Sequence, residues 1–359
     1  DPGSAQAGMR GGFNYIEIVS LEAIEEISVA KGAFSAEFSN ALSGNINVIT
    51  KSGTNKWHGS LFEAFNAENL NARPTFLTFR PPLTFNQFGG SIGGPIKKDR
   101  VFIFGVYEGY QDRRFATVNG LVFTPRFRND LLARNPGFRP ILDEVYLPNQ
   151  PFTPTAATAL YTQAASLKAN TDHVVIKSDA WLSSHAKVTA TWLRDRPDLT
   201  FPTAFQAPGP NSFRTFTGRV DRVNVNFTTF RANWSAETRF GRNKVDNDRG
   251  DQVRTSMGPL LGITAIGVSV GDGEISFIGD APHWVMEQKV TVQHGRHSLK
   301  FGGILNRAAF GQSLSHGGEL QYNTAQDLLN NAPTSARFDF GTKPWVGKAY
   351  NVGFFLQDD

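Results

Sequence analysis

The chain has 359 residues, of which 12% are aromatic, 35 are glycine and only 19% are charged, below the roughly 25% that is usual for soluble domains. Its formal net charge is +4, and the basic residues are scattered along the chain. This pattern argues against nucleic-acid binding, which requires a clustered basic face. There is no cysteine, so the sequence excludes disulfides, thiolate metal sites and cysteine nucleophiles. No run approaches the roughly 18 apolar residues of a membrane-spanning helix.

The first fifty residues form a small mixed α/β piece in this interpretation. Strand-like runs lie at Ile16 to Val19 and Ile27 to Ala30, with a short helix or turn between them, and a third lies between Ala41 and Lys51. The polar stretch 52–55 (Ser-Gly-Thr-Asn) then breaks the pattern with residues that favour turns. The sequence therefore predicts a joint between this piece and the rest of the chain.

From residue 57 onward, about ten segments have the length of roughly ten residues that a tilted strand needs to cross a bilayer. Several of them alternate between apolar and polar side chains with a period of two, which predicts one face in lipid and one in water. The predicted segments are 57–66, 85–94, 101–111, 172–182, 186–196, 217–228, 233–244, 283–294, 297–308 and 347–358. The predicted lipid-facing residues are Val188, Trp192, Trp234, Trp284, Val290, Leu299 and Phe301, and those facing the interior are Lys187, Glu237, Lys289 and Lys300.

The connections between these segments alternate strictly between short and long. Short ones fall at 95–100, 183–185, 229–232 and 295–296, and long ones at 67–84, 112–171, 197–216, 245–282 and 309–346. An outer-membrane barrel has short periplasmic turns and long external loops, whereas a soluble β-sandwich has no reason to place every long loop at one end. The pattern therefore favours a transmembrane antiparallel β-barrel.

Aromatic residues near the ends of the predicted strands fit the interfacial girdles of such a barrel. They are Trp57, Tyr107, Tyr110, Trp192, Trp284 and Tyr350. Aromatic residues also suit ordinary strands, so these positions support the barrel without requiring it.

The stretch "IEEISVAKGAFSAEFSNALSGNINVITKSGTNKWHGSLFEAF" resembles the plug-to-barrel junction of TonB-dependent outer-membrane receptors, in particular the Oar-like branch with a carboxypeptidase-regulatory-like N-terminal domain. Downstream, "NQFGGSIGGPIKKDRVFIFGVYEGY" resembles the next hairpin of that family. The matching positions are Ile24, Glu25, Ile27, Val29, Lys31, Ala36, Glu37, Phe38, Gly44, Asn47, Val48, Thr50, Lys51, Ser52, Gly53, Thr54, Asn55, His58 and Gly59.

This resemblance implies a mainly β fold in which a barrel of about 22 strands surrounds a plug. Residues 1–52 would be the C-terminal half of the α/β plug domain, and residues 53–359 would be the N-terminal part of the barrel, with about ten of its strands. We therefore expect the first and last strands of this chain, near 57–66 and 347–358, to be edges that do not pair with each other. The TonB box and the remaining plug and barrel segments would lie outside this sequence.

The resemblance also implies where functional residues lie. Residues 1–14 occupy the place of the plug's apical loop, which meets the ligand, so Met9, Arg10 and Asn14 are the candidate substrate contacts. The plug-barrel hinge would be formed by Lys51, Ser52, Gly53, Thr54, Asn55 and His58.

Other motifs carry little chemistry. His294 and His297 flank a predicted two-residue turn, where polar turn residues are far commoner than a metal site. The stretch 246–251 (Asp-Asn-Asp-Arg-Gly-Asp) offers three carboxylates in a predicted external loop but lacks the spacing of a calcium-binding loop. Neither a catalytic arrangement nor a phosphate-binding loop is present, so we expect neither enzyme activity nor a cofactor.

The expected function is TonB-coupled uptake of a bulky nutrient (an oligosaccharide, a peptide or a metal chelate) across the cell outer membrane. The expected partners are TonB, outer-membrane lipid and an unknown nutrient ligand, with no nucleic acid. Two alternatives stay open from the sequence: a structural or adhesive barrel whose long loops bind surfaces, and a barrel that exports protein.

Overall fold

The structure is a computed structural model, and it describes residues 20–31, 44–73, 75, 79–143, 145–202, 213–251, 260–263, 268–270, 276–280, 282–315, 318–338 and 345–358. Strands dominate these ranges, with three short α-helices. None of the helices in the described ranges has the length and apolar character needed to cross a membrane.

The main sheet contains eleven antiparallel strands. Their bounds are β3 (His58–Ala67), β4 (Leu83–Lys97), β5 (Val101–Phe123), β6 (Thr158–Ser183), β7 (Ala186–Pro202), β8 (Phe213–Phe230), β9 (Trp234–Asp251), β12 (Ser276–Asp280), β13 (His283–His294), β14 (His297–Ser315) and β17 (Trp345–Asp358).

Two smaller sheets and the helices complete the described elements. They are β1 (Ile24–Lys31), β2 (Gly44–Thr50), β10 (Leu260–Ile263), β11 (Val268–Val270), β15 (Glu319–Tyr322), β16 (Ser335–Arg337), α1 (Pro125–Arg134), α2 (Arg139–Leu142) and α3 (Ala325–Leu329). Strand β1 pairs with β2, and β11, β10, β15 and β16 form a four-stranded sheet.

The main sheet is a meander in which neighbours along the chain pair with each other. β3 lies at one edge and β17, which pairs with β14, at the other. Within the described residues β3 and β17 do not pair with each other, which confirms the prediction that the sheet is not closed. β12 lies beyond the start of β13 and pairs with both β9 and β14.

All ten predicted strands are present, but most of their outer boundaries were wrong. The predicted external loops 112–171 and 197–216, for example, begin and end inside strands, because β5 and β6 stay paired from Val101 opposite Ala180 as far as Phe123 opposite Thr158. The prediction used the roughly ten residues that a bilayer crossing needs. Several strands are much longer than this, because a strand can stay paired with its neighbour outside the membrane.

The register confirms the predicted division into two faces. Val188 and Trp192 share one face of the sheet with Trp234, Trp284, Val290, Leu299 and Phe301, whereas Lys187, Glu237, Lys289 and Lys300 share the other. We call these the outer and inner faces. The outer face carries strongly exposed apolar side chains, such as Leu61 (93%) and Phe354 (86%), as expected of a surface that contacts lipid.

One predicted girdle residue is placed differently. Tyr110 lies on the inner face of β5, where its ring meets Phe85 edge to face at 5.4 Å and its hydroxyl donates to Asp112 at 3.3 Å. Tyr107, three residues earlier on the same strand, lies on the outer face and is 43% exposed. The prediction for Tyr110 was wrong because the apolar run 101–107 obscures the alternation from which a face can be assigned.

The predicted strands in the first fifty residues are confirmed where the structure describes them. A 3-10 turn, Leu21–Ala23, leads into β1, which pairs with β2 from Ile24 opposite Thr50 to Lys31 opposite Gly44. The predicted strand Ile16 to Val19 lies outside the described residues.

Candidate functional site

The small β1-β2 sheet is joined to the inner face of the wall through an apolar contact. Ala23, in the 3-10 turn before β1, is fully buried. It belongs to a cluster with inner-face residues of β5, β6 and β7, namely Phe104, Val106, Val175 and Leu193. The turn before β1 therefore packs against four buried hydrophobic side chains of the inner face.

Polar contacts surround this patch. The Ser20 hydroxyl donates to the carboxylate of Glu108 on β5, and Glu108 is only 7% exposed. At the same end of the small sheet, Lys177 Nζ on β6 donates to the backbone carbonyl of Thr50 at 2.7 Å. A buried carboxylate and a buried ammonium are costly without partners, so both contacts favour the position of the small sheet against the wall.

Glu22 forms a third link, this time to β3 and β4. Its carboxylate accepts hydrogen bonds from the hydroxyls of Ser60 and of Ser91, the latter at 2.8 Å. Lys51 lies 3.4 Å away. These hydroxyl groups, together with the Lys51 charge, hold the pKa of the Glu22 carboxyl below its ordinary value.

The predicted hinge residues lie in the ordered connection between β2 and β3. The backbone N–H of Lys51 donates to Ala23 O at 2.8 Å. Gly53 lies so close to the wall that an added Cβ would be 2.4 Å from Ile103 O and 2.7 Å from Gly94 O. Only glycine permits this approach of the backbone, which accounts for the glycine in the Ser-Gly-Thr-Asn stretch.

Side chains extend this attachment to the turn between β4 and β5. The Asn55 amide donates to the Asp99 carboxylate at 2.5 Å, and Asn55 Oδ1 accepts from the backbone N–H of Asp99 at 2.8 Å. Asp99 has φ of 59°, a left-handed conformation that aspartate tolerates in turns. Residues 51–58 are therefore bound to the wall at several points.

The remaining predicted site residues are placed as follows. Thr54 Oγ1 donates to the Lys56 carbonyl at 2.9 Å, and Nδ1 of His58, the first residue of β3, lies 3.0 Å from the same carbonyl. Ser52 lies in the same connection. Met9, Arg10 and Asn14 lie outside the described residues.

A second candidate site, which sequence reasoning missed, lies at the end of the wall with the long connections. Segments of the β5-β6, β9-β13 and β14-β17 connections share one hydrophobic core, and we call the assembly of α1, α2, β10, β15, β16 and α3 the external cap. The buried residues of this core are Val122 and Phe123 at the end of β5, together with Phe127, Leu131, Ile141, Leu142, Leu261, Tyr322 and Leu328 of the cap.

Backbone and side-chain hydrogen bonds join the three connections in the external cap. β10 pairs in parallel with β15, from Leu260 opposite Glu319 to Ile263 opposite Tyr322. The Asn135 amide, just after α1, donates to Leu329 O at 2.9 Å. Since β6 and β14 are five pairing steps apart in the sheet, these contacts join segments that connect to distant strands of the wall.

Local signals for the helices of the cap were present in the sequence. The side chain of Thr124 caps α1, whose first residue is Pro125, and Thr324 forms a capping box with Asp327 at α3. Both are recognised helix-start signals. The pairing of segments from three distant connections has no such local signal.

The two candidate metal sites weighed from the sequence do not gain support. The stretch 246–251 belongs to strand β9 rather than to an external loop, so the loop prediction was wrong. His294 and His297 do face each other across a two-residue turn, and His297 Nδ1 lies 2.8 Å from Asp358. The described residues contain no group of three or more potential metal ligands.

The chain matches the protein family described as "Outer membrane beta barrel domain" over residues 49–359. It is also similar to the TonB-dependent transporter Oar of Myxococcus xanthus, with 31% identity over 94 residues, and to the ferrienterobactin receptor of Escherichia coli K12, with 32% identity over 104 residues. These matches confirm the predicted resemblance to TonB-dependent outer-membrane receptors.

The alignments cover 24% and 28% of this chain, and only 9% and 14% of the two relatives. Among solved structures, the outer membrane transporter YddB from E. coli is similar with a TM-score of 0.57 and 11% identity, over 94% of this chain and 41% of that protein. At this identity the likeness concerns the fold alone, and it supports a large antiparallel barrel wall.

Proposed function

The chain belongs to the family of outer membrane β-barrel domains and is an outer-membrane protein, and we propose that it forms part of a receptor for TonB-coupled uptake of a bulky nutrient into the periplasm. In this proposal residues 1–52 are the C-terminal half of a plug and residues 53–359 are wall strands. Further strands pair with the edges β3 and β17 and close the barrel, because unpaired backbone groups in hydrocarbon cost several kcal/mol each.

The observation that carries the proposal is the position of the small sheet on the inner face of the wall. The contacts of Ser20 with Glu108 and of Thr50 with Lys177 hold this folded segment against the inner face, which in this proposal lines the path of the solute. An open pore needs no such segment, whereas a gated importer needs an obstruction that moves. The outer membrane has no nucleotide supply, so moving the obstruction requires energy from a periplasm-spanning partner such as TonB.

The proposed class of nutrient follows from the width of the barrel and not from an identified ligand. A barrel wide enough to hold a plug has a lumen far larger than a small solute needs. An oligosaccharide, a peptide or a metal chelate would use that width. Met9, Arg10 and Asn14 remain the proposed contacts at the top of the plug.

The test uses the full-length reading frame expressed in the outer membrane of cells with and without functional TonB. Growth is measured with a defined oligosaccharide, peptide or ferric chelate as the sole carbon, nitrogen or iron source. We expect growth on at least one source to require both the receptor and TonB.

Growth that depends on the receptor but not on TonB would contradict energised uptake. The alternatives give different results in the same strains. An adhesive barrel would change surface attachment and an export barrel would change the secreted proteins, and neither effect would depend on TonB.

A further inference from the structure

Three ionisable side chains lie in one row on the inner face of the wall. Glu108 on β5 lies opposite His173 on β6, which lies opposite Asp195 on β7. We call these three residues the ionisable row. Residues directly opposite each other on neighbouring strands have Cβ atoms about 4.5 to 5.5 Å apart, so one imidazole lies between two carboxylates. Nδ1 of His173 contacts the Asp195 carboxylate.

The ionisable row is buried beside the contact between the small sheet and the wall. The adjacent row, two residues away on the same strands, consists of Val106, Val175 and Leu193. These apolar side chains pack against Ala23 in the turn before β1. Glu108 and Asp195 are 7% and 1% exposed, and the side chain of His173 is 12% exposed. A change of charge in the ionisable row therefore occurs within this contact.

Glu108 links the ionisable row directly to the small sheet. One oxygen of its carboxylate accepts from the Ser20 hydroxyl, just before the 3-10 turn. The other oxygen accepts from the Gln87 amide on β4 at 2.6 Å. Both of these donors are uncharged, so they leave the negative charge of the carboxylate to be balanced by its neighbour His173.

Asp195 is less completely satisfied. One of its oxygens contacts His173, whereas Oδ2 is buried without a hydrogen-bond partner in the part of the chain that the structure describes. Burying such a group is costly unless an opposite charge lies nearby. A protonated His173 supplies that charge, whereas a neutral ring leaves two carboxylates close together with no cation between them.

His173 is the group of the ionisable row whose charge responds to pH near neutrality. The other titratable or charged groups that the structure describes on the surrounding inner-face elements are Tyr110, Asp112 and Arg114 on β5, Lys177 and Asp179 on β6, Lys187 on β7, Arg222 on β8, and Glu22 and Glu25 near the start of the small sheet. None of these is a histidine, the side chain that ordinarily changes its charge between about pH 5 and pH 8.

We propose that a proton bound in the ionisable row controls how firmly the small sheet is attached to the wall. With His173 protonated, the charge of the ring offsets one of the two carboxylates while the small sheet excludes water from them. When the pH rises and the ring loses its proton, the two buried carboxylates repel each other. Detachment of the small sheet gives Glu108 access to water, so it becomes easier. The attachment is therefore stronger below neutral pH than above it.

The test measures hydrogen exchange of residues 20–31 in the purified full-length receptor at about pH 5.5 and about pH 8, the range in which histidine titrates. Each exchange rate is divided by the rate of an unstructured chain at the same pH, which leaves the protection due to structure. The Glu22 carboxyl, whose pKa is lowered by its hydrogen bonds to Ser60 and Ser91, stays ionised at both pH values.

Three variants assign the effect to the ionisable row. The double variant carries His173→Gln and Asp195→Asn, so that no carboxylate is left facing a neutral ring at this position. A second variant carries Asp195→Asn alone and keeps the titratable ring. The matched control is His283→Gln, because His283 is another buried histidine of the inner face, 8% exposed, whose ring contacts the uncharged Asn306.

We expect protection of 20–31 in the unmodified receptor to fall on the order of tenfold from the lower to the higher pH, the size expected for a hydrogen bond to a charged group. The double variant should have nearly the same protection at both pH values. The Asp195→Asn variant should show a smaller fall than the unmodified receptor. The His283→Gln control should show the same fall as the unmodified receptor.

Equal protection at both pH values in the unmodified receptor would overturn the proposal, and so would an undiminished fall in the double variant. If the double variant does not insert into the membrane, an undiminished fall in the Asp195→Asn variant contradicts the assignment to the ionisable row. A fall that disappears in the His283→Gln control would contradict it as well. The measurement concerns attachment in the purified receptor, so growth that proves independent of TonB would refute the proposed uptake and leave this result unaffected.

Discussion

Replacing Leu328 in α3 by alanine tests whether the external cap is one folded unit. Leu328 is fully buried in the core that the cap's three connections share, and removing a leucine from such a position costs about 2 to 5 kcal/mol. At about 3 kcal/mol, local opening becomes on the order of 100-fold more frequent. Because α1 buries Phe127 and Leu131 in the same core, its amides should become exposed together with those of α3.

Hydrogen exchange followed by mass spectrometry provides the assay, with the amides of α1 as the readout. These amides lie almost 200 residues from the substitution along the chain, so a faster exchange there reports on shared packing. Leu147→Ala is the matched control, because Leu147 is 48% exposed and its removal should leave exchange in α1 unchanged. Faster exchange confined to 318–338, with α1 unaffected, would refute the inference that the connections fold cooperatively.

Three further predictions concern the attachment of the small sheet. Gly53→Ala should destabilise the junction by about 1 to 3 kcal/mol, because the new Cβ would collide with wall carbonyls. Gly137→Ala is the control, because a Cβ at that position would have no other atom within 4 Å. The rate of proteolysis of the purified receptor near residue 53 should rise in the first variant and not in the second. Asn55→Ala should remove both hydrogen bonds to Asp99 and raise cleavage at the same place, and unchanged cleavage would show that these exposed bonds contribute little. Glu22 has a lowered pKa, so its contribution is present at neutral pH and is lost as the pH falls through that lowered pKa. Glu22→Gln should therefore weaken the exchange protection of 20–31 at pH 7, and the difference from the unmodified receptor should shrink as the pH is lowered stepwise; a difference that does not change with pH would contradict the assignment.

Alternation of side chains made the wall predictable from the sequence. Residues such as Trp284 and Lys289 reveal their faces because a strand repeats every two residues, and that information is local. Tyr110 was misplaced where the run 101–107 is apolar throughout. The outer ends of the strands were misjudged because the bilayer sets the minimum length of a wall strand and not its maximum.

The candidate sites were predictable only in part. The junction 51–58 carries a recognisable motif, yet its attachment to Asp99 depends on a turn more than forty residues away. The cap core joins Leu131, Leu261 and Leu328, which are separated along the chain by several strands of the wall. Packing of this kind depends on which distant segments meet in the folded chain. The sequence of one segment carries no information about its partners.

A reversible tether between the small sheet and the wall tests most directly whether the small sheet moves during uptake. The sequence has no cysteine, so Ser20→Cys with Glu108→Cys introduces a single pair across a side-chain contact. Thr238→Cys with Gln288→Cys, whose side chains lie opposite each other on neighbouring wall strands and are joined by a hydrogen bond of 2.6 Å, provides a control tether within the wall. The measurement is TonB-dependent growth of cells producing the full-length receptor on the nutrient identified by the growth assay, before and after reduction of the disulfide.

We expect the Ser20-Glu108 tether to abolish this growth, reduction of the disulfide to restore it, and the control tether within the wall to have no effect. Undiminished growth with the Ser20-Glu108 disulfide fully formed would contradict the claim that the small sheet moves away from the wall during uptake.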